Sequence, residues 1–177
     1  MQTRDNPYGA AWREVYRNIQ LNYEKMRRVA LAEDYSAVWV VESDTIPPRD
    51  ALAKLLAVDA PIVSGLYALR HGSGIPNLMQ YGCSPGAGSA MRWEAIGALG
   101  TQTIPVSGGC MGCLVIRRPV LERFQFITSS RGAPDVPLME FCWTNGFRQM
   151  ARLDVRCGHK QPDGAILWPE DFIPKGF

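Results

Sequence analysis

A chain of 177 residues with 46% hydrophobic content is long enough for one domain with a sizeable core and too short for two comfortable ones. Its 19 basic and 17 acidic residues are interspersed, giving a net charge of +2 and no basic stripe of the kind that tracks nucleic acid. No apolar run reaches the roughly 18 residues that would span a bilayer, and Met1 to Asp5 carry no apolar signal region, so a cytoplasmic protein without a membrane span is expected.

In chain order, residues 1–12 form a short lead. Apolar or aromatic side chains at Val15, Ile19, Tyr23, Met26 and Ala30 then predict an amphipathic helix from about Ala11 to Glu33, with Arg13, Arg17, Lys25 and Arg27 elsewhere on the wheel. The run from Ala37 to Val41, rich in β-branched and aromatic residues, reads as a buried strand. It ends in Glu42-Ser43-Asp44-Thr45-Ile46-Pro47-Pro48, and open α/β sheets place their ligand crevice at such carboxyl ends. Side chains two apart on a strand share a face, so Glu42 and Asp44 can address one cation, and their hard oxygens suit Mg²⁺ or Mn²⁺. The same two residues could instead merely solvate a turn.

Pro47-Pro48 open a second helix, Arg49 to about Val58, with Leu52, Leu55 and Leu56 as its buried side. Pro61 to Leu69 reads as a strand, and Arg70 to Gly88 as an irregular loop rich in Gly, Ser and Pro. Met91 to Ile96 suggests a short strand, Ile104 to Ile116 a strand interrupted by glycines, and Pro119 to Phe124 a short helix with proline in its first turn. A helix over Val136 to Thr144, closed by Asn145-Gly146, and a strand from about Ala151 to Arg156 running into Cys157-Gly158-His159 complete a core over residues 13–160. The tail, 161–177, carries Pro162, Gly164, Pro169, Pro174 and Gly176 and reads as an extended flap ordered only by the body of the domain.

Five cysteines, at 83, 110, 113, 142 and 157, make no disulfide framework at this length, and reduced, buried thiols are the simplest reading. Cys110-Met111-Gly112-Cys113 runs into a strand, where residues three apart face opposite sides and chelate poorly together. A zinc set that adds Cys157 and His159 is the alternative. Gly108 and Gly109 would let the backbone approach a bound ligand closely, or form a plain bulge.

Glu42-Ser43-Asp44-Thr45-Ile46-Pro47-Pro48 after its strand, Pro61 to Tyr67, Ser107 to Arg118, an acidic residue before a helix, and a strand ending in His159 together resemble a family 2 glycosyltransferase of the GT-A fold. The resemblance implies a GT-A-like mixed sheet flanked by helices. It also implies a metal-dependent transfer, with inversion, from a nucleotide-diphosphate sugar to the hydroxyl of a glycan, lipid or small-molecule acceptor. Asp44 would bind Mn²⁺ or Mg²⁺ directly, Glu42 would lie near metal or ribose, and His159 would complete the metal site. Asp135, in a Pro134-Asp135 pair where the family often has Glu-Asp, would be the general base that takes the acceptor proton. An N-cap role is its structural alternative. Glu140 is a weaker base candidate, and Trp93 and Trp143 could stack on a sugar or pack in the core.

The family begins with nucleotide-binding strands for which residues 1–12 have no room, so the first part of the usual fold is expected to be lacking. That leaves an exposed sheet edge and the expectation of a homo-oligomer. Two other readings stay open: a non-catalytic nucleotide- or carbohydrate-binding remnant, and a nucleotidyltransferase. The latter lacks a glycine- and lysine-rich phosphate loop.

Overall fold

The computed structural model describes residues 9–69, 74–82, 90–126 and 134–175, with side chains from 14 onward. Residues 1–8 of the lead, Cys83 and much of the loop between Arg70 and Gly88 lie outside the described residues. The fold is mixed α/β. Its elements are α1 (Gly9–Ala32), β1 (Ala37–Val41), β2 (Thr45–Ile46), α2 (Ala51–Leu56), β3 (Ile62–Leu66), β4 (Leu78–Met79), α3 (Trp93–Leu99), β5 (Thr103–Val106), β6 (Gly108–Gly109), β7 (Cys113–Arg117), α4 (Arg118–Arg123), α5 (Asp135–Thr144), β8 (Gln149–Arg156), β9 (Gly158–Lys160) and β10 (Ile166–Leu167). A 3₁₀ turn follows at Pro169–Asp171.

The main sheet has the order β1-β7-β3-β8-β5. Only β3 and β8 run parallel, and the other neighbours are antiparallel. All of β3 is buried, as befits a central strand covered on both faces. Alternation along β7 sends Leu114 and Ile116 to a face covered by α1, α4 and α5, and Cys113 and Val115 to the face covered by α2. A third cluster joins Leu66, Leu78, Ala151 and Leu153 to Trp93 and Ile96 of α3.

Three expectations about elements need correction. Met91 to Ile96 is no strand: from Trp93 the run belongs to α3, which buries Trp93, Ile96 and Gly97. The buried side of α2 is Ala51 and Leu55, whereas Leu52 and Leu56 are exposed. On α1 the expected stripe holds at Tyr23, Met26 and Ala30, but Val15 is exposed and the polar Gln20 and Arg27 are buried beside it. Arg27 turns inward because it has partners there. Its Nε donates to the Leu121 carbonyl at 2.6 Å and its Nη1 to Glu24 at 3.0 Å, and Glu24 also accepts the Phe126 amide at 3.1 Å. That latch satisfies a carbonyl near the end of α4 that no further helical turn could reach.

The tail folds back on the body. Ile166 and Leu167 pair with Lys160 and His159, so β10 extends β9, which in turn pairs with β2. Phe172 stacks on Trp93 with centroids 5.4 Å apart, which places Trp93 in packing contact with the tail.

Candidate functional site

The carboxyl ends of β1 and β3 open onto one region. β1 ends at Val41, and the chain then turns, with the Thr45 amide donating to the Glu42 carbonyl at 2.9 Å. Glu42 and Asp44 therefore sit on a turn. The two-residue strand period expected for them does not apply, and their side chains part.

Asp44 goes to β9. Pairing of Thr45 with His159 brings the two segments together, the Lys160 amide donates to the Asp44 carbonyl at 2.7 Å, and His159 Nε2 stands 3.6 Å from Asp44 Oδ2. That separation is too long for a hydrogen bond. The other ring nitrogen, Nδ1, lies 2.7 Å from the Ala68 carbonyl, which orients the ring and makes Nδ1 the protonated position in the neutral tautomer. The lone pair on Nε2 then faces the carboxylate.

Glu42 goes the other way. Its carboxylate accepts from Tyr23 of α1 at 3.4 Å, and its amide donates to the Gly112 carbonyl at 3.1 Å. Asp135 stands at the first turn of α5, where Oδ1 accepts the Val136 amide at 2.9 Å; Pro134 holds the N-cap position. The Cys110 thiol lies beside Asp135, close enough to act on its carboxyl. Burial raises the Asp135 carboxyl above its usual range, against the thiol and the Val136 amide, which favour the charged form.

Tyr67, buried just beyond β3, neighbours both His159 and the Glu42 and Asp135 carboxylates. Its hydroxyl accepts the Gly112 amide at 2.9 Å, and its ring meets that of His159 edge-on at 5.3 Å. Burial pushes this phenol well up, and Cys110, Glu42 and Asp135 add to the rise, so all three lie within electrostatic reach of one hydroxyl. Tyr23 is raised in the same way, by burial first and then by Glu42 and Asp135. Asn77 clamps the strand end: its Oδ1 accepts the Tyr67 amide at 2.9 Å and its Nδ2 donates to the Gly65 carbonyl at 3.0 Å.

The structure thus brings Asp44 to His159 and places Glu42, Asp135 and Cys110 around Tyr67. Among the described residues no three His, Cys, Asp or Glu side chains gather as a metal-holding group, so Glu42 does not complete a triad with Asp44 and His159. The metal-ligating expectation narrows to the pair. A carboxylate oxygen and an imidazole nitrogen with an engaged second nitrogen suit a divalent ion that takes its remaining ligands from phosphate and water. Their 3.6 Å separation is shorter than two bonds of about 2.1 Å laid end to end.

The glycine pair is spoken for by packing. A Cβ on Gly108 would lie 2.1 Å from Met139 Sδ, and one on Gly109 would lie 2.2 Å from Ser64 Oγ. Trp143 is exposed on α5. Of the cysteines, Cys113 and Cys157 meet over Gly65, where a Cβ would lie 3.1 and 3.3 Å from their sulfurs, and the proposed Cys110, Cys113, Cys157 and His159 zinc set is not assembled. Cys113 and Cys157 flank β3 from either side, a separation that strand spacing makes too wide for a disulfide.

Tyr23, Tyr67 and Asn77 are members of the region that the sequence did not disclose, and Cys110 was visible there only as a zinc candidate. Tyr67 carried a usable signal, since it directly follows the apolar run of β3 and so occupies a strand's carboxyl end.

No protein-family profile and no curated protein matches this chain. Among solved structures, the crystal structure of A197 from STIV is similar, with a TM-score of 0.59 and 18% identity over 85% of this chain and 75% of the other. At that identity the likeness is one of fold.

Proposed function

We propose that the chain is a metal-dependent glycosyltransferase that uses a nucleotide-diphosphate sugar and an acceptor hydroxyl, with inversion. The observation that carries the reading is the meeting of Asp44 with His159 beside a second group holding Asp135, from chain segments more than a hundred residues apart. Asp44 and His159 would hold a divalent ion, Mn²⁺ suiting a mixed oxygen and nitrogen set better than Mg²⁺. When bound, the ion supplies positive charge to the diphosphate as the bond to the anomeric carbon breaks. Asp135 takes the acceptor proton while the acceptor oxygen bonds to the anomeric carbon and the diphosphate leaves from the opposite face. A carboxyl raised by burial is a stronger base for that step than an exposed one. Glu42 would lie along the donor, and Tyr67 would fix the turn that carries Gly112.

The test is Mn²⁺-dependent hydrolysis and transfer from a panel of nucleotide sugars. Asp44→Asn should lose metal-dependent binding and turnover together. Asp135→Asn should keep metal and donor binding and lose about 10²–10⁴ in turnover. A chain that binds no nucleotide sugar with or without Mn²⁺ would sink the proposal, and binding without turnover would favour the non-catalytic reading.

A further inference from the structure

β1 is an edge strand whose outer side faces no other strand among the described residues. The Arg118 amide donates to Ser36 and the Glu42 amide donates to Gly112, so the even-numbered residues of this segment turn their backbone groups toward β7. The odd ones, Ala37, Trp39 and Val41, turn theirs outward. Soluble proteins protect such edges with charge, proline or a bulge, and Ala37-Val38-Trp39-Val40-Val41 has none of these. Beside the edge lies an apolar groove of about 530 Å³ whose lining includes Lys25, Met26, Val29, Tyr35 and Val38. Val29 and Tyr35, 50% and 57% exposed, are uncovered there.

We infer that this face binds a second copy of the chain, β1 against β1 in antiparallel register about a two-fold axis at Trp39. The strand is self-complementary in that register. Trp39 pairs with Trp39, Ala37 with Val41 and Val41 with Ala37, and every outward N–H meets an outward carbonyl. The helices agree with the strands. Lys25 and Glu33 lie four residues before and after Val29, and neither has an ion-pair partner among the described residues. Antiparallel helices related by an axis near Val29 set Lys25 of each copy opposite Glu33 of the other. Val29 and Tyr35 of both copies close the groove. The pairing also carries Tyr35 of the second copy toward the rim of the Glu42–Asp44 turn.

The inference rests on backbone direction and charge pattern, and it is independent of glycosyl transfer. Sedimentation of the full chain at micromolar concentration should give a mass near twice 19.6 kDa. Lys25→Glu and Glu33→Lys should each weaken the dimer by about tenfold or more, and the double swap should return it to near the native value. Ala37→Pro removes an outward N–H at a strand start that tolerates proline, so it should yield a folded monomer by circular dichroism. A native chain that is monomeric throughout overturns the inference. So does a dimer indifferent to the charge swaps and to Ala37→Pro, which would place the interface elsewhere. A monomer whose Ala37 and Trp39 amides are nonetheless protected from hydrogen exchange would show another segment on the edge, and overturns it too.

Discussion

At the scale of single residues, the protonation of Asp135 is the most readable consequence of the site. Burial raises its carboxyl above the ordinary 3.8. Between that value and the raised one, the folded chain keeps a proton that the unfolded chain has released, so stability falls as pH rises through the interval. Asp135→Asn should therefore melt higher than the native chain at neutral pH, and the two melting temperatures should converge as pH drops below 3.8. Thermal melts from acid to neutral pH check this, and a constant gap would contradict the assigned burial. Gly112 offers a second case. A Cβ there would stand 2.6 Å from the Tyr67 hydroxyl and 2.8 Å from Thr45 Oγ1, and both are buried. Gly112→Ala should cost about 2 kcal/mol by urea denaturation, the usual toll of overpacking. A neutral result would mean that Tyr67 can leave its place.

Among elements, the Glu24-Arg27 latch shows what periodicity conceals. Hydrophobic spacing locates α1 to within two residues at its start and one at its end, and it finds Tyr23, Met26 and Ala30 on the core side, yet it misses the edge of that face, because an arginine with a carbonyl and a carboxylate to satisfy is drawn inward beside them. Arg27→Met keeps the stem of the side chain and removes its donors. It should destabilise by about 1–3 kcal/mol, because the buried Leu121 carbonyl loses its donor, whereas Glu24 keeps Arg28 and the Phe126 amide. Urea denaturation measures it, and a change within about 0.5 kcal/mol would reduce the latch to a surface contact. The same limit explains α3. Met91 to Ile96 is a short apolar run, and such a run does not distinguish a strand from one helical turn and a half. β1, β3, β7 and β8 were legible because each is a continuous or alternating apolar run bounded by turn residues. The partners of Glu42 were not, since the turn that separates it from Asp44 is fixed by a Thr45 amide and by Gly112, seventy residues away.

Over the whole molecule, the order of the tail is tied to the order of the site. β10 pairs with β9, and β9 pairs with β2, so the segment after Lys160 braces the strand that holds His159 against Asp44. Phe172 and Trp93 fasten the far end of the tail to α3. Gly158 lies beneath Ile166 and Trp168, where a Cβ would come within 2.8 and 2.9 Å, so the tail packs closely on the strand it covers. Phe172→Ala should cost about 2 kcal/mol, roughly half the loss expected for a fully buried phenylalanine. Its local effect tells more than its size. If the tail braces β9, the Lys160 amide, which donates to the Asp44 carbonyl at 2.7 Å, should exchange its hydrogen faster in the variant, while amides of β3 slow or quicken only with global stability. Equal acceleration at β3 and Lys160 would show that the tail acts on the fold as a whole. Unchanged exchange at Lys160 would show that β2 and β9 hold Asp44 and His159 together without it.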